Sequence, residues 1–346
     1  MVAALAAACT AGAESGGSGC APSDIPDHDD RTIVIEGDPW SGYALFRDPD
    51  LLDGTGYTSL YVEQLCQDVR AADLSAGRAG IEVTTLDQYV LNRPDGVVVG
   101  VIDQSEGADA LVLNTVDVDY LRTVDDLPRL VDDFRGRDRR PVLAYTGNSP
   151  SQMLLDELAN TYDELRLSEF DLVSVDQSAT AYQMMVDHEA QVAVVWEPDT
   201  SAAQAAGYTV ALSSEDVPDS IVDVIVAGRD LVDRDPDAVA AVVSAFYTRM
   251  DGLLASPDDL ERLIAEDGGL DRQAAESVIA GIKLYGSGDA DAFMNDSVFP
   301  LDQPQVDQSI NAIGAVLALV HPDVDPGRAE TDGSFVHNHT TRAGGS

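Results

Sequence analysis

Residues 31–42 read RTIVIEGDPWSG. Ile33, Val34 and Ile35 form a short β-branched run that fits a strand buried on both faces, and Gly37, Asp38 and Pro39 end it in a loop. Outward from this strand the same pattern recurs. Strand-like runs fall at 57–62, 80–84 and 97–103, with helical stretches at 66–76 and 85–91 between them. Such strand–helix–strand alternation builds a mostly parallel sheet covered on both faces. An Asp-rich segment at 114–127 reads as a linker, after which the alternation restarts with strands at 141–145, 171–175, 191–195 and 208–212 and helices at 149–162, 178–187 and 200–206. An isolated strand, IVDVIVA at 221–227, precedes a chain that reads as helical beyond Asp235. The expected class is α/β: two doubly wound lobes joined by a two-segment hinge, the second lobe inserted in the first. The expected boundaries are a leader and flexible linker over 1–30, lobe one over 31–113 and 223–322, lobe two over 114–222, and a flexible tail over 323–346.

The chain has 346 residues, 45% apolar and 6% aromatic, which suits a sizeable core and excludes a collagen, a coiled coil or wholesale disorder. The charge is the outlier, with 20 Lys plus Arg against 62 Asp plus Glu and a net charge of -42. Nucleic acids and anionic membranes are therefore poor partners for the folded surface. The carboxylates are spread along the chain rather than gathered in a tail, and Lys283 is the only lysine. A chain of this kind repels itself in dilute buffer and is relieved by salt, since the Debye length falls to about 3 Å near 1 M. The composition is read as built for a saline environment; an ordinary acidic protein kept soluble by its charge is the plainer alternative.

Residues 5–9, LAAAC, resemble a lipobox, the site at which exported lipoproteins are cleaved and lipidated on the new N-terminal cysteine, here Cys9. The basic n-region and a full apolar h-region are missing, so the segment is either a clipped signal or a small-residue tail, and Cys20 is a weaker second candidate. No later stretch reaches the roughly 18–20 apolar residues of a membrane helix. Cys66 stands alone in the body, which leaves neither a disulfide framework nor a zinc site there. It reads as a small core residue, with a catalytic thiol as the alternative.

Four segments carry a resemblance. They are IEGDPWSGY at 35–43, DQSEGADALV at 103–112, TGNS at 146–149, and the stretch 181–198 that ends in VVWEP. In order and spacing they resemble the type II periplasmic substrate-binding proteins of ABC importers, in the group serving nitrate, sulfonates, taurine and thiamine-pyrimidine precursors. The resemblance spans about 31–322. It implies an extracytoplasmic monomer without cofactor or metal that captures a small organic nitrogen or sulfur compound between two lobes, and the lipobox-like segment adds a lipid anchor at Cys9. The solute would then be delivered to permease subunits in the membrane.

In open parallel sheets ligands sit beyond the carboxyl ends of the strands, which selects the candidate site. Trp40 and Tyr43, with Asp38 beside them, would wall off or stack on a solute; core packing is the alternative. Thr146, Asn148 and Ser149 precede a helix begun by Pro150 and would offer free N–H groups to an anionic group, or simply cap the helix. Trp196 and Glu197 should emerge at the cleft rim, where Glu197 would suit an amine or a ring N–H; hinge packing is the alternative. Asp87, Asp103, Ser105, Gln177 and Asp223 sit at expected strand ends or hinges, where a solvated face is the plainer reading. No Lys or Arg falls in the four motif loops, since Arg47 follows the first and Lys283 lies late in the chain. Bare nitrate is thus less attractive than a neutral, zwitterionic or amine-bearing solute.

Pyrimidine-precursor synthases share this resemblance but use a Schiff-base lysine and a cysteine-rich motif, whereas this chain has one late lysine and no cysteine cluster. G-x-S-x-G, Walker and H-E-x-x-H motifs are absent too. The expectation is a binder rather than an enzyme; an enzyme on the same scaffold or a signalling receptor is the alternative. His337 and His339, around the sequon at Asn338, are read as part of a disordered terminus.

Overall fold

A computed structural model describes residues 21–299, 301–320 and 329–343 and resolves the apolar runs into two separate large sheets. The chain begins with β1 (Thr32–Gly37), α1 (Ala44–Arg47), β2 (Thr58–Glu63), α2 (Gln67–Ser75), β3 (Ile81–Thr85), α3 (Leu86–Asn92) and β4 (Gly96–Ser105). It crosses to a second lobe for β5 (Asp109–Leu113), α4 (Leu127–Arg135), β6 (Val142–Thr146), α5 (Pro150–Thr161), β7 (Asp171–Val175), α6 (Ser178–Val186), β8 (Val192–Trp196), α7 (Asp199–Ala205) and β9 (Thr209–Ser213). It returns through β10 (Val222–Gly228), α8 (Arg229–Arg234), α9 (Pro236–Leu254), α10 (Pro257–Gly268), α11 (Arg272–Ala280), β11 (Ile282–Leu284) and α12 (Ser287–Asn295). A small hairpin, β12 (Ser297–Val298) and β13 (Gln303–Pro304), then leads to α13 (Gln305–Val320) and α14 (Ser334–Ala343).

The first lobe is a six-stranded sheet in the order β11-β4-β10-β3-β1-β2, and the second a five-stranded sheet in the order β7-β6-β8-β5-β9. Each is parallel except around the strands where the chain enters or leaves a lobe and at the edge strand β11, which runs antiparallel to β4. β10 runs antiparallel to both β3 and β4, and β5 antiparallel to both β8 and β9. All ten residues of β4 and all seven of β10 are buried, as expected for central strands covered on both faces. Ile35, Ile81, Val99 and Ile225 fill the first core with Phe46 and Phe246, whose rings stack at 4.9 Å; Leu111, Leu143, Leu154 and Val194 fill the second. Met153 of α5 is buried with the first lobe's core, and α5 packs on α3 and α13.

Several expectations need correction. The lobe boundary lies at residues 106–108 rather than 113, because β5 pairs with β8 and β9 of the second sheet. The segment 114–127 is not all linker: it ends in a short turn of helix at Val124–Asp126, and α4, unforeseen, follows. The C-terminal segment is not a flexible tail where described. Thr331 bridges to Val98, and α14 packs on α9 and α12 with Val336 fully buried. His337 lies against Asp291 and His339 hydrogen-bonds Ser244 at 2.9 Å, so both histidines are held by the first lobe. Cys66 is not a lone thiol but half of a disulfide; the chain's other cysteines, Cys9 and Cys20, lie outside the described residues, as does the lipobox.

The two connectors are tied together. Ser105 Oγ lies 2.8 Å from Ser214 Oγ, which also accepts from the Gly107 amide at 2.7 Å, and the Ser105 amide donates to the Ile221 carbonyl at 3.0 Å. Gly107 takes φ +105, a conformation open to glycine.

Candidate functional site

The carboxyl ends of both sheets face one cavity of about 560 Å³. Lobe one builds its floor. Asp38 leaves the end of β1, accepts the Trp40 amide at 2.9 Å, and so turns the chain into a 3₁₀ turn at Ser41–Tyr43. Gly42 is required in that turn because a Cβ there would collide with the Asp103 carboxylate and the Trp40 indole. Tyr43 is almost fully buried and donates its hydroxyl to Asp223. Asp103 near the end of β4 and Asp223 near the start of β10 are register partners on adjacent antiparallel strands, which brings two carboxyls together.

Their surroundings decide their protonation. Burial pushes Asp103 up to about 7, against the relief of its Asp223 and Trp40 neighbours. Burial, and then the Asp103 charge, push Asp223 well above the usual carboxylate range. The pair therefore holds a proton at neutral pH, as buried like charges do. Asp109, at the start of β5, accepts from Ser105 Oγ at 2.7 Å and is still pushed up to about 7 by burial. Burial also raises the nearby Glu197 and Asp199.

Lobe two supplies the opposite wall. Thr146 closes β6, Asn148 takes φ 48, a left-handed conformation asparagine tolerates, and Ser149 caps α5 by accepting the Ser151 amide at 3.2 Å. Gln177 is the N-cap residue of α6 without a side-chain capping bond. The Trp196 amide donates to Ser178 Oγ at 3.1 Å, which fixes the end of β8, and Glu197 accepts from Ser201 Oγ at 2.8 Å ahead of a cis bond to Pro198.

Every candidate residue lines this cavity except Asp87. Asp87 is buried on α3, where Gln88 Nε2 donates to it at 2.7 Å, so it is neither a cleft residue nor a solvated face. Thr85, Asp109, Asp176 and Asp199 line the cavity and were not among the candidates. Asp109 lies in the quoted segment 103–112 and so carried a signal; Thr85 reads in the sequence as the first residue of a helix, and the structure makes it the last of β3. Asp103 also lines it, although its composition-based reading was a solvated face. No Lys, Arg or His is among the cavity-lining residues described. Among the described residues no group of three or more His, Cys, Asp and Glu is placed to hold a metal.

No protein-family model matches the chain, and no curated protein matches it by sequence. Solved structures do match in shape. The periplasmic aliphatic sulphonate binding protein SsuA from Escherichia coli aligns with TM-score 0.65 at 17% identity, over 87% of this chain and 92% of that one. The periplasmic nitrate-binding protein NrtA from Synechocystis PCC 6803 aligns with TM-score 0.67 at 12% identity, over 93% and 90%. The desulfurization enzyme DSZB aligns with TM-score 0.59 at 13% identity, over 90% and 99%, so the fold is compatible with catalysis as well as with binding. The chain has the two-lobed type II fold of the periplasmic sulfonate- and nitrate-binding proteins.

Proposed function

We propose that the protein is the extracytoplasmic receptor of an ABC import system. It captures a small organic nitrogen or sulfur compound between its lobes and delivers it to permease subunits in the membrane. The observation that carries this reading is a cavity walled by the strand ends of both lobes, with Trp40 on one wall and Trp196 on the other. Cavities of this size at domain interfaces suit small molecules. The Cys66 disulfide supports a place outside the reducing cytoplasm; a lipid anchor at Cys9 and a saline habitat belong to the same reading.

Closure is the test. A solute drives the lobes together only through higher affinity for the closed form. X-ray scattering in molar KCl should show compaction when a solute selected by thermal shift is added, with no product formed. The enzyme reading draws on the proton held by Asp103 and Asp223 next to Tyr43; conversion of the solute, or binding without compaction, would replace the receptor reading by it.

Trp40→Ala and Trp196→Ala are each expected to weaken binding at least tenfold, about 1.4 kcal/mol, with circular dichroism unchanged. Neither indole is fully buried, so truncation opens no closed core. Unchanged affinity by calorimetry would assign the tryptophans to packing alone.

A further inference from the structure

We propose that the cleft selects a solute carrying a protonated nitrogen with free N–H groups, an organic ammonium or amidinium, rather than an anion. The inference rests on the receptor reading and names its substrate class.

The floor of the cavity presents polar groups whose hydrogen bonding is incomplete. Asp103 is completely buried, and neither of its carboxylate oxygens closes a hydrogen bond of good geometry; the Asp223 carboxyl, with which it holds a proton, and the Trp40 indole N–H lie beside it. The Thr85 hydroxyl, also buried and lining the cavity, lies beside the Asp87 carboxyl without closing a bond of good geometry. A buried acceptor left unmade is costly, and a ligand that donates two N–H groups to Asp103 removes that cost. Around it stand Asp38, Asp109 and Asp223, with Glu197 across the cleft. Burial favours the protonated forms of Asp109, Asp223 and Glu197; a cation placed among them favours the ionised forms, and an anion finds no Lys or Arg among the lining residues described.

The two guanidinium groups nearest the floor are already engaged. Arg70, behind the floor, donates to the Val83 carbonyl at 2.9 Å and lies 3.4 Å from Asp38 and 3.9 Å from Glu82. Arg47 is paired with Asp267 and with the Asp38 and Trp40 carbonyls. Of the helix ends that face the cavity, that of α5 is capped by the chain itself, Ser149 taking the Ser151 amide and Gln152 Oε1 the Asn148 amide at 3.1 Å, while Gln177 heads α6 without a side-chain cap. Trp40 and Trp196 add aromatic faces, which favour cations.

Calorimetry in molar KCl with benzamidine, agmatine and putrescine against benzamide, propane-1-sulfonate and nitrate tests this. At least one of the three cations should bind about tenfold or more tighter than benzamide and both anions, and Asp103→Asn and Asp109→Asn should each lower that affinity at least tenfold. If Asp103→Asn fails to fold, Asp109→Asn decides. A tighter anion, or a cation held equally well by the variants, overturns the assignment. An anion that binds and compacts the protein overturns the substrate class and leaves the receptor reading intact; no binding by either series overturns both.

Discussion

Replacing Arg70 by methionine is expected to cost about 3–5 kcal/mol of folding stability above neutral pH, the usual consequence of removing one partner from a buried charged group. Arg70 is fully buried and is the cation around which the first lobe's acidic interior is arranged, with Asp38 and Glu82 as its ion-pair neighbours. Burial pushes Glu82 up to about 7 even with the guanidinium beside it, and burial pushes Glu36 to about 7 with Glu82's charge adding to it. Without Arg70 the Glu82 carboxyl rises further. An acid whose folded pKa is raised favours the fold while protonated and loses that contribution as pH rises from its unfolded value near 4.3 through its folded one. The deficit of the variant should therefore be largest at about pH 8 and shrink toward about pH 5. Urea titrations at both pH values in molar KCl measure it. Adding Glu82→Gln should return part of the loss, and a deficit below about 1 kcal/mol that ignores pH would show that Arg70 is carried by its apolar stem.

Salt should produce the second large effect. The net charge of -42 is a property of the whole surface, not of one pair. Ion pairs such as Arg135–Asp132 at 2.6 Å and Arg272–Glu276 at 3.0 Å are exposed, and each is worth about 0–1 kcal/mol at most. Salt weakens these pairs, but 62 acidic groups share only 20 Lys plus Arg, so the screened repulsion outweighs the screened attraction. With the Debye length falling from about 10 Å at 0.1 M to about 3 Å at 1 M, melting followed by circular dichroism should move up by at least about 10 °C. At about 2–4 °C per kcal/mol for a large domain, that corresponds to roughly 3–5 kcal/mol. A melting temperature that stays flat or falls with KCl would remove the saline reading of the composition.

The strands were legible because Val and Ile runs such as VVVGVI and IVDVIVA have one outcome in a chain that alternates with helices. β5 was not, because ALVL is too short to distinguish from the connector before it; only its pairing with β8 and β9 assigns it to the second sheet. α14 was hidden for the opposite reason. Its residues VHNHTTR are poor helix formers, and the helix stands because Val336 docks against α9 and α12, a tertiary contact overriding propensity. Trp40, Thr146 and Trp196 could be placed at one cleft because strand ends in an α/β sheet share an edge. The meeting of Asp103 with Asp223 could not, since it depends on the antiparallel register of two strands far apart in the chain. Asp87 looked equivalent to them, yet it lies on the first turn of α3 and faces inward.

The tied connectors limit how the molecule can communicate. Two independent straps would let the lobes twist, slide and splay, but Ser214 fastens the two together through Ser105 and Gly107, so they turn as one axle. Ser105 also holds Asp109, and both line the cavity, which places the occupant directly on that axle. The tie favours one hinge angle over independent twisting of the two straps, and it sits beside the cleft. Under the receptor reading proposed above, a membrane complex would then meet two shapes, empty and full, rather than a continuum of poses.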